Sequence, residues 1–301
     1  MAHQRPIPTL SDKKLLELEK RATEIREDLI HMLARAGSGH SAGPLDLADI
    51  FTAFYFHILE HRPKTPMWKE RDRLLLSCGH TVPVRYVAMA HAGYIKKDIL
   101  KTFRKLHSPL QGHPEITHLP ALENTSGPLG DGAAQSVGIA YAAKMDKAIW
   151  HTYCVLSDGE LECGIVWESA MFAARHKLDN LTWIIDRNNI QIDGRTEDIS
   201  HLEPLHEKFT SFGFEVVEVD GHNIREFVES CAYAQTIAER PTVIIAHTIP
   251  GKGVDFMEGK YEWHGLPPGL GPEDTVQRIN QERAAIRSIR TLGGKITSEM
   301  E

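Results

Sequence analysis

The stretch TYCVLSDG at residues 152–159 and the stretch LTWIIDRNN at residues 181–189 decide the fold of this chain. Each begins with a short apolar run and ends in polar residues, which predicts buried strands over Thr152–Leu156 and Leu181–Asp186. Between them, Gly164–His176 has the pattern of a helix. A strand, a helix and a second strand in this order predict a crossover between parallel strands.

The same alternation extends outward in both directions. Further strands are predicted over Arg73–Ser77, Phe214–Val219 and Thr242–His247. Further helices are predicted from the cap Ser11 to Ala36, and over Pro44–Leu59, Val82–Ala92, Asp98–Leu106, Ala133–Ala143, Arg225–Glu239 and Glu273–Arg290. Residues 248–273, rich in glycine and proline, are predicted to be a loop. The fold class is therefore α/β, a parallel sheet flanked by helices on both faces, with residues 1–301 as one domain.

Composition narrows the class of protein. The 301 residues carry a formal net charge of −7 without a long basic run, which argues against a nucleic acid or an anionic membrane as partner. No apolar run approaches the length that spans a bilayer. The four cysteines lie far apart and form no C-x-x-C pair, which is typical of free thiols in a reducing compartment, so we expect a cytoplasmic protein.

Polar side chains follow the two central strands at the point where each strand ends. Asp158 follows the first strand and Asn188 the second, thirty residues later. Because the carboxyl ends of parallel strands meet at one edge of a sheet, both side chains should lie together there. A carboxylate, an amide oxygen and a nearby backbone carbonyl suit Mg²⁺ or Ca²⁺, and the ligands still missing would fit a diphosphate. Gly159 would let the backbone approach a phosphate closely.

Two other features indicate a site. The segment Thr125–Gly132 is glycine-rich and leads into a helix, but it lacks the order G-x-G-x-x-G, which disfavours a nicotinamide cofactor. Four histidines stand beside glycine in loop-like contexts: His40, His80, His113 and His264. An imidazole at such a position can donate to a phosphate or hydroxyl group and can move protons near neutral pH.

These motifs together resemble the transketolase family. Asp158-Gly159 with Asn188 resembles the thiamine diphosphate signature. The following segments resemble transketolases in particular, in the family's order: Ser38–His40, Asp72–Arg73, Ser77–His80, Gly112–Glu115, Gly127–Gly130, Ile192–Gly194 and His264–Gly265. The similarity runs from about residue 12 to about residue 280.

The resemblance implies roles for individual residues. Asp158, Asn188 and the carbonyl of Ile190 would bind the metal. The thiamine diphosphate would be contacted by His80, Gly127, Leu129, Asp158, Gly159, Asn188 and His264. The residues His40, His113 and His264 would face a sugar substrate and assist proton transfer. The implied reaction moves a two-carbon ketol unit from a ketose to an aldose, on pentose phosphates or on a specialised ketose.

The resemblance also implies a partner. Transketolases usually continue into a pyrimidine-binding domain, which supplies an activating glutamate, and a C-terminal domain. This sequence ends at residue 301, where the pyrimidine domain would begin. We therefore expect a split enzyme in which a second chain supplies these domains, in an α2β2 heterotetramer.

Some residues depart from the family pattern. Ser157 stands where glycine is usual, Asp131 where glutamine is usual, and Ser41–Gly43 replaces a common Pro-Gly. Cys163 stands where the family usually has a glutamate linked to communication between two active sites, and a thiol cannot replace that carboxylate. The consequence of Cys163 for such communication stays open.

Three alternative functions remain at this point. The chain could be half of another thiamine diphosphate enzyme, such as a pyruvate dehydrogenase-like α chain or a deoxyxylulose phosphate synthase. It could be a non-catalytic thiamine-binding homologue. A nicotinamide oxidoreductase rests on the predicted parallel sheet alone.

Overall fold

A computed structural model describes residues 5–298. Its α-helices are α1 Asp12–Ala36, α2 Ala42–Asp46, α3 Ala48–Ala53, α4 Val82–Ala92, α5 Asp131–Met145, α6 Gly164–Arg175, α7 Thr196–Ile199, α8 Leu205–Ser211, α9 Ile224–Ala234 and α10 Gln281–Ser298. Its strands are β1 Arg73–Leu76, β2 Thr152–Ser157, β3 Leu181–Arg187, β4 Ile190–Gln191, β5 Gly194–Arg195, β6 Glu215–Asp220 and β7 Thr242–His247. No helix within these residues is long and apolar enough to cross a membrane.

Five of the strands form one parallel sheet in the order β1-β2-β3-β7-β6. The strands β2 and β3 are buried along their whole length. They are joined through α6, as the sequence predicts. The two short strands β4 and β5 form a separate antiparallel hairpin directly after β3. This hairpin, together with helices α7 and α8, is absent from the sequence prediction.

Alternate side chains of each strand enter two different cores. Leu74, Leu76 and Val155 pack into one cluster with α1, α3, α4 and α9. Leu75 and Leu156 point the other way, into a cluster with α5 and α6. Because successive side chains of a strand face opposite sides of the sheet, both faces must be covered. The predicted fold class, a parallel sheet with helices on both faces, is confirmed.

The first helix begins and ends where its sequence signals lie. The Oγ of Ser11 accepts a hydrogen bond from Lys14 N at 3.3 Å, which satisfies one of the free donors at the helix start. Gly37 ends the helix in the left-handed conformation, with φ of 65°, and donates to Leu33 O.

Four predicted helices differ clearly from the structure, and one of them, predicted over Arg225–Glu239, corresponds to α9 and already ends at Ala234. Pro44–Leu59 is not one helix, because α2 and α3 are separated at Leu47 and a π-helical turn follows at Phe54–Ile58. Residues 98–106 form only the 3₁₀ turn Lys97–Thr102, because the backbone of Phe103 is extended and Arg104 is left-handed.

The C-terminal helix begins at Gln281, eight residues later than predicted, and runs to Ser298, where a polar tail was expected. The buried Gln281 side chain donates to the carbonyls of Gly271, Pro272 and Val276. These bonds hold the preceding segment in a loop, which explains the late start of the helix.

Candidate functional site

The two predicted metal ligands lie at the same edge of the sheet. Strands β2 and β3 pair with Ser157 opposite Asp186. Asp158 is one residue past the end of β2, and Asn188 is one residue past the end of β3. Both side chains are buried. The structure therefore brings these two residues to the carboxyl ends of neighbouring strands, where open α/β sheets bind ligands.

The Asp158 carboxylate is already engaged on one of its two oxygens. Its Oδ2 accepts from the Arg187 guanidinium at 3.0 Å, from Asn189 N at 2.8 Å and from the Thr196 hydroxyl at 3.3 Å. Its Oδ1 accepts from Gly159 N at 2.7 Å, which leaves lone-pair capacity on that oxygen. Burial raises the pKa of Asp158, and the Arg187 charge opposes that rise.

Arg187 has no counterpart in the sequence prediction. It is only 2% exposed, and besides Asp158 it pairs with Glu197 at 2.7 Å and Glu203 at 2.8 Å. Asp158 and Arg187 form a buried ion pair, so their charges are compensated within the protein. The position of Arg187 at the last residue of a buried strand gives no sequence signal of this role.

The Asn188 amide connects the edge of the sheet where Asp158 lies, which we call the metal edge, to the N-terminal part of the chain. Its Nδ2 donates to Asp46 Oδ2 at 3.1 Å and to Asp186 Oδ2 at 3.2 Å. Its Oδ1 accepts from Ile190 N at 3.1 Å. Thr248 also donates to Asp186 Oδ1, at 2.5 Å. The site thus includes a pair of buried carboxyl groups that the sequence gives no reason to place together.

The pKa of both members of this carboxyl pair is raised. Burial is the main cause for each, and the charge of Asp186 adds to the effect on Asp46. Two carboxylates in contact without water cannot both stay ionised, so the pair retains a proton at neutral pH.

The residues Ile190 and Gly159 flank the edge as expected. Ile190 is buried and starts the β4–β5 hairpin. A Cβ added to Gly159 would meet only Gln191, at 3.6 Å, so the backbone is open on that side.

Three histidines converge into a triangle of rings, which we call the histidine triangle. The ring centroids are 4.8 Å apart for His40 and His80, 5.4 Å for His40 and His264, and 5.2 Å for His80 and His264. They come from the loop after α1, the turn after β1 and the loop after β7. A Cβ on Gly265 would lie 3.7 Å from both His40 Nε2 and Ile192 Cδ1, so the triangle adjoins the hairpin that follows Asn188.

The histidine triangle is uncharged at neutral pH. Burial lowers the pKa of His264 to about 4. Burial, with the charges of His264, Arg104 and His113, lowers the pKa of His40 to about 4. Burial and the neighbouring rings lower the pKa of His80 well below its usual value. Neutral imidazoles can both donate and accept hydrogen bonds.

His113 lies near the triangle, and Gly127 lies beside His113. His113 is among the groups that lower the pKa of His40 and His80. A Cβ on Gly127 would be 3.9 Å from the His113 ring. Burial, and then the Arg104 charge, lower the pKa of His113. Leu129 is 40% exposed, so its side chain is available for contact. The four predicted histidines are therefore brought into one neighbourhood.

Glu160 is a buried group that the sequence analysis missed. Its carboxylate accepts from Gly130 N at 2.6 Å, from Ser157 N at 3.0 Å and from the Ser77 hydroxyl. Burial raises its pKa to about 7. It ties the start of α5 to the ends of β1 and β2, so it holds the glycine-rich loop against the sheet edge. Cys163 is half-buried nearby, and its pKa is raised by burial and by Glu160.

The residues present fit a metal–diphosphate group. Within residues 5–298, no cluster of three or more His, Cys, Asp or Glu side chains could hold a metal by itself. One carboxylate, one amide and a carbonyl leave a hard cation in need of further oxygen ligands, which phosphates provide. In addition, nine buried side-chain polar atoms of the described residues find no hydrogen-bond partner, and two of them, Ser126 Oγ and His264 Nδ1, belong to this part of the molecule. Buried atoms of this kind ordinarily have a partner.

Comparison with known families assigns the class of protein. A family profile described as "Transketolase, thiamine diphosphate binding domain" matches residues 18–284. The chain belongs to this family, and the predicted resemblance to transketolases, which are transferases, is confirmed.

The individual relatives divide into two kinds. An apulose-4-phosphate transketolase subunit from Phocaeicola vulgatus is 37% identical over 88% of this chain and 94% of its own length. The 6-deoxy-6-sulfo-D-fructose transketolase subunit of a Clostridium strain is 38% identical over 83% of this chain and 91% of its own length. Human transketolase is 35% identical, and this chain spans 42% of it. Campylobacter jejuni transketolase superposes with a TM-score of 0.79 at 33% identity, covering 94% of this chain and 48% of that one.

Proposed function

We propose that this chain is the cofactor-binding subunit of a two-subunit transketolase. It transfers a two-carbon ketol unit from a ketose to an aldose, with thiamine diphosphate, a divalent cation and a partner chain. The observation that carries the proposal is the placement of Asp158 and Asn188 just past the ends of two neighbouring strands, at the sheet edge near a triangle of neutral histidines. In this proposal, residues 1–301 contribute a single pyrophosphate-binding domain.

The metal is held by three oxygen atoms of this chain. These are a carboxylate oxygen of Asp158, the Oδ1 of Asn188 and the carbonyl of Ile190. Oδ1 of Asp158 supports this role because it accepts only one hydrogen bond. We propose Mg²⁺, with Ca²⁺ as an alternative, because the donor set is all oxygen and carries one formal charge.

The cofactor is contacted by His80, Gly127, Leu129, Gly159 and His264. Thiamine diphosphate, when bound, supplies a carbon nucleophile and an acceptor for the electron pair released by carbon–carbon cleavage. The unpartnered Nδ1 of His264 and Oγ of Ser126 support a polar ligand at this position. Burial of the triangle excludes water from it, which strengthens the hydrogen bonds formed there.

Proton handling falls to His40, His113 and His264. The lowered pKa of each keeps the imidazoles neutral near pH 7, so one nitrogen donates and the other accepts. Such groups can hold or relay the proton of a substrate hydroxyl without a charge being buried.

The partner chain supplies the pyrimidine domain and the activating glutamate. Exposed apolar side chains that stand close to site residues along the chain support a docking surface for this partner, namely Leu129, Ile192, Ile249, Leu266 and Leu270. A second apolar area lies on the outer faces of α5 and α6. Two such areas support an α2β2 heterotetramer. The four free cysteines in the described part of the chain support a cytoplasmic location.

The substrates are sugars, and we propose sugar phosphates. The relatives are named for different ketoses, an apulose phosphate and a sulfofructose. Both the pentose phosphates of the pentose phosphate pathway and a specialised ketose of a catabolic pathway therefore stay open for this chain.

Cofactor binding tests the first half of the proposal. Isothermal titration calorimetry with thiamine diphosphate and Mg²⁺ should give binding to the wild-type complex and at least about 100-fold weaker binding to Asp158→Ala. The exposed Asp198→Asn serves as the control. Retained tight binding by Asp158→Ala in chelator-treated protein would overturn the metal assignment.

Turnover tests the second half. The chain and a partner carrying the pyrimidine domain should convert xylulose 5-phosphate and ribose 5-phosphate, or another ketose–aldose pair, into ketol-transfer products. Consumption of pyruvate without transfer from any ketose would instead identify a pyruvate dehydrogenase-like or deoxyxylulose phosphate synthase-like enzyme.

A further inference from the structure

Asp46 is a buried carboxyl group without a paired cation. It is the last residue of α2, is 0% exposed, and forms no ion pair among residues 5–298. Burying such a group without a cation in contact costs free energy. By contrast, the buried Asp49, three residues later, pairs with Arg26, with 2.5 Å between Oδ2 and Nη2. The position of Asp46 therefore indicates a role other than packing.

The side chain that Asp46 contacts is a proposed metal ligand. Its Oδ2 accepts from Asn188 Nδ2 at 3.1 Å, and Asp186 Oδ2 accepts from the same nitrogen at 3.2 Å. On the other side of the amide, Ile190 N donates to Asn188 Oδ1 at 3.1 Å. Both hydrogens of the amide nitrogen are thus used, and one lone pair of the amide oxygen stays free.

These three hydrogen bonds fix which way the Asn188 amide faces. An amide rotated by 180° would place its oxygen against two carboxyl groups and its nitrogen against the N–H of Ile190, so all three bonds would be lost. Only the amide oxygen can bind a hard cation. The bonds keep this oxygen on the side of Ile190, whose carbonyl is proposed as a further ligand of the metal.

Helix α2 is attached to the fold on two sides. From α1, Arg26 Nε donates to Leu45 O at 3.1 Å. From the loop after β7, Gly251 N donates to Ala42 O, also at 3.1 Å. Because both bonds end on backbone carbonyls of this short helix, the Asp46 carboxyl group has little freedom to move away from the metal edge.

We propose that Asp46 is a positioning residue for the divalent cation, because it holds the Asn188 amide with Oδ1 toward the cation. The inference rests on the proposed function and deepens it, since it adds to the metal site a residue that does not touch the metal. Loss of a group that orients a metal ligand typically weakens metal binding about 10- to 100-fold. Asp186 still holds the amide when Asp46 is replaced, so the lower end of this range is expected.

The test measures cation binding in the complete two-chain enzyme. Chelator-treated complex with saturating thiamine diphosphate is titrated with Mn²⁺, and free Mn²⁺ is followed by electron paramagnetic resonance. Asp46→Leu, which removes the acceptor at similar volume, should weaken Mn²⁺ binding about tenfold. Asp46→Asn keeps an acceptor oxygen for Asn188 and should stay within about threefold of the wild type. Asp49→Asn, at a buried aspartate that bonds to Arg26 and not to Asn188, is the control and should bind as the wild type does.

A kinetic measurement separates positioning from general damage to the fold. The Mg²⁺ concentration for half-maximal ketol transfer should rise about tenfold in Asp46→Leu, while kcat at saturating Mg²⁺ should change less than about twofold. A large fall of kcat at every Mg²⁺ concentration would instead show a disturbed site and contradict the inference.

Three binding results would also contradict it. These are Mn²⁺ binding of wild-type strength in Asp46→Leu, an equal loss in Asp46→Asn, and an equal loss in Asp49→Asn. If the wild-type complex binds no Mn²⁺ in the presence of thiamine diphosphate, the proposed function itself fails. Binding that is lost in Asp158→Ala but kept in Asp46→Leu would refute the role of Asp46 alone.

Discussion

Asp46 and Asp186 place two carboxyl groups where water is excluded, with the Asn188 amide donating to both. Asp49, one turn after Asp46, is in the opposite situation. Burial disfavours its charge too, but the Arg26 guanidinium overcomes this and lowers the pKa of Asp49 to about 2. Two buried aspartates three residues apart thus differ in charge state because only Asp49 forms an ion pair with a cation.

The carboxyl pair predicts a pH dependence of stability in metal-free protein. The pKa of each carboxyl group in the pair is raised in the folded state. Above about pH 4 the folded protein therefore binds more protons than the unfolded protein, and the free energy of unfolding falls as the pH rises toward 8. The slope is at most about 1.4 kcal/mol per pH unit for one proton. Asp46→Asn removes the repulsion and should flatten this slope. Urea unfolding at pH 5, 6.5 and 8 in a chelator measures it.

Asp49→Asn is the matched control for that experiment. Asp49 is ionised in both folded and unfolded protein above about pH 4, so its loss should destabilise by a similar amount at all three values. If Asp46→Asn kept the wild-type slope, the two carboxyl groups would not share a proton.

At the scale of elements, the start of α5 is fixed by close contact with β1. A Cβ added to Gly132 would lie 2.4 Å from Ser77 Cα, which is backbone and cannot move aside. Gly132→Ala should therefore shift the helix start and lower the free energy of unfolding by about 1–3 kcal/mol. Gly138 in the same helix has nothing within 4 Å, so Gly138→Ala should instead stabilise by up to about 1 kcal/mol.

Denaturant unfolding of both variants, with cofactor titration, checks this prediction. Because Gly130 and Gly127 precede the helix start, Gly132→Ala should also weaken thiamine diphosphate binding, while Gly138→Ala should not. Equal stability of the two variants would mean that the contact with β1 is not specific.

Elements in the sheet could be predicted from the sequence because their signals are local. The strands β2 and β7 follow from apolar runs bounded by polar residues, and the predicted and observed limits of each strand differ by at most one residue. The helix predicted at Asp98–Leu106 failed because the chain leaves the 3₁₀ turn at Phe103 and then adopts the left-handed conformation at Arg104, which no local propensity signals.

The residues of the candidate site also fall into two groups, those that the sequence could place and those that it could not. Asp158 and Asn188 could be placed together because the strand–helix–strand topology fixes where both strands end. Asp46 could not be added, because it is 142 residues from Asn188 and meets it only through the packing of α2. Arg187 and Glu160 were missed because a charged residue beside a strand end is ordinarily solvated, and their burial depends on the whole fold.

At the scale of the whole molecule, the sheet edge collects residues from nearly every part of the chain. The histidine triangle joins the loop after α1, the turn after β1 and the loop after β7, and Asp46 reaches the metal edge from α2. Each contact spans a long stretch of sequence, so the site forms only when the whole described fold is in place.

The outer faces of α5 and α6 carry a prediction about assembly. Met145 is 67% exposed, Met171 57% and Phe172 41%, which is unusual for large apolar side chains near one another. If this area joins two copies of the cofactor-binding subunit, Met171→Glu should convert the α2β2 heterotetramer into αβ units, because a charge would be buried without a partner. Light scattering after size-exclusion chromatography measures the mass. Met67→Glu, at a residue 58% exposed outside these helices, should leave the mass unchanged. A heterotetramer that survives Met171→Glu would place the interface between copies elsewhere on the surface.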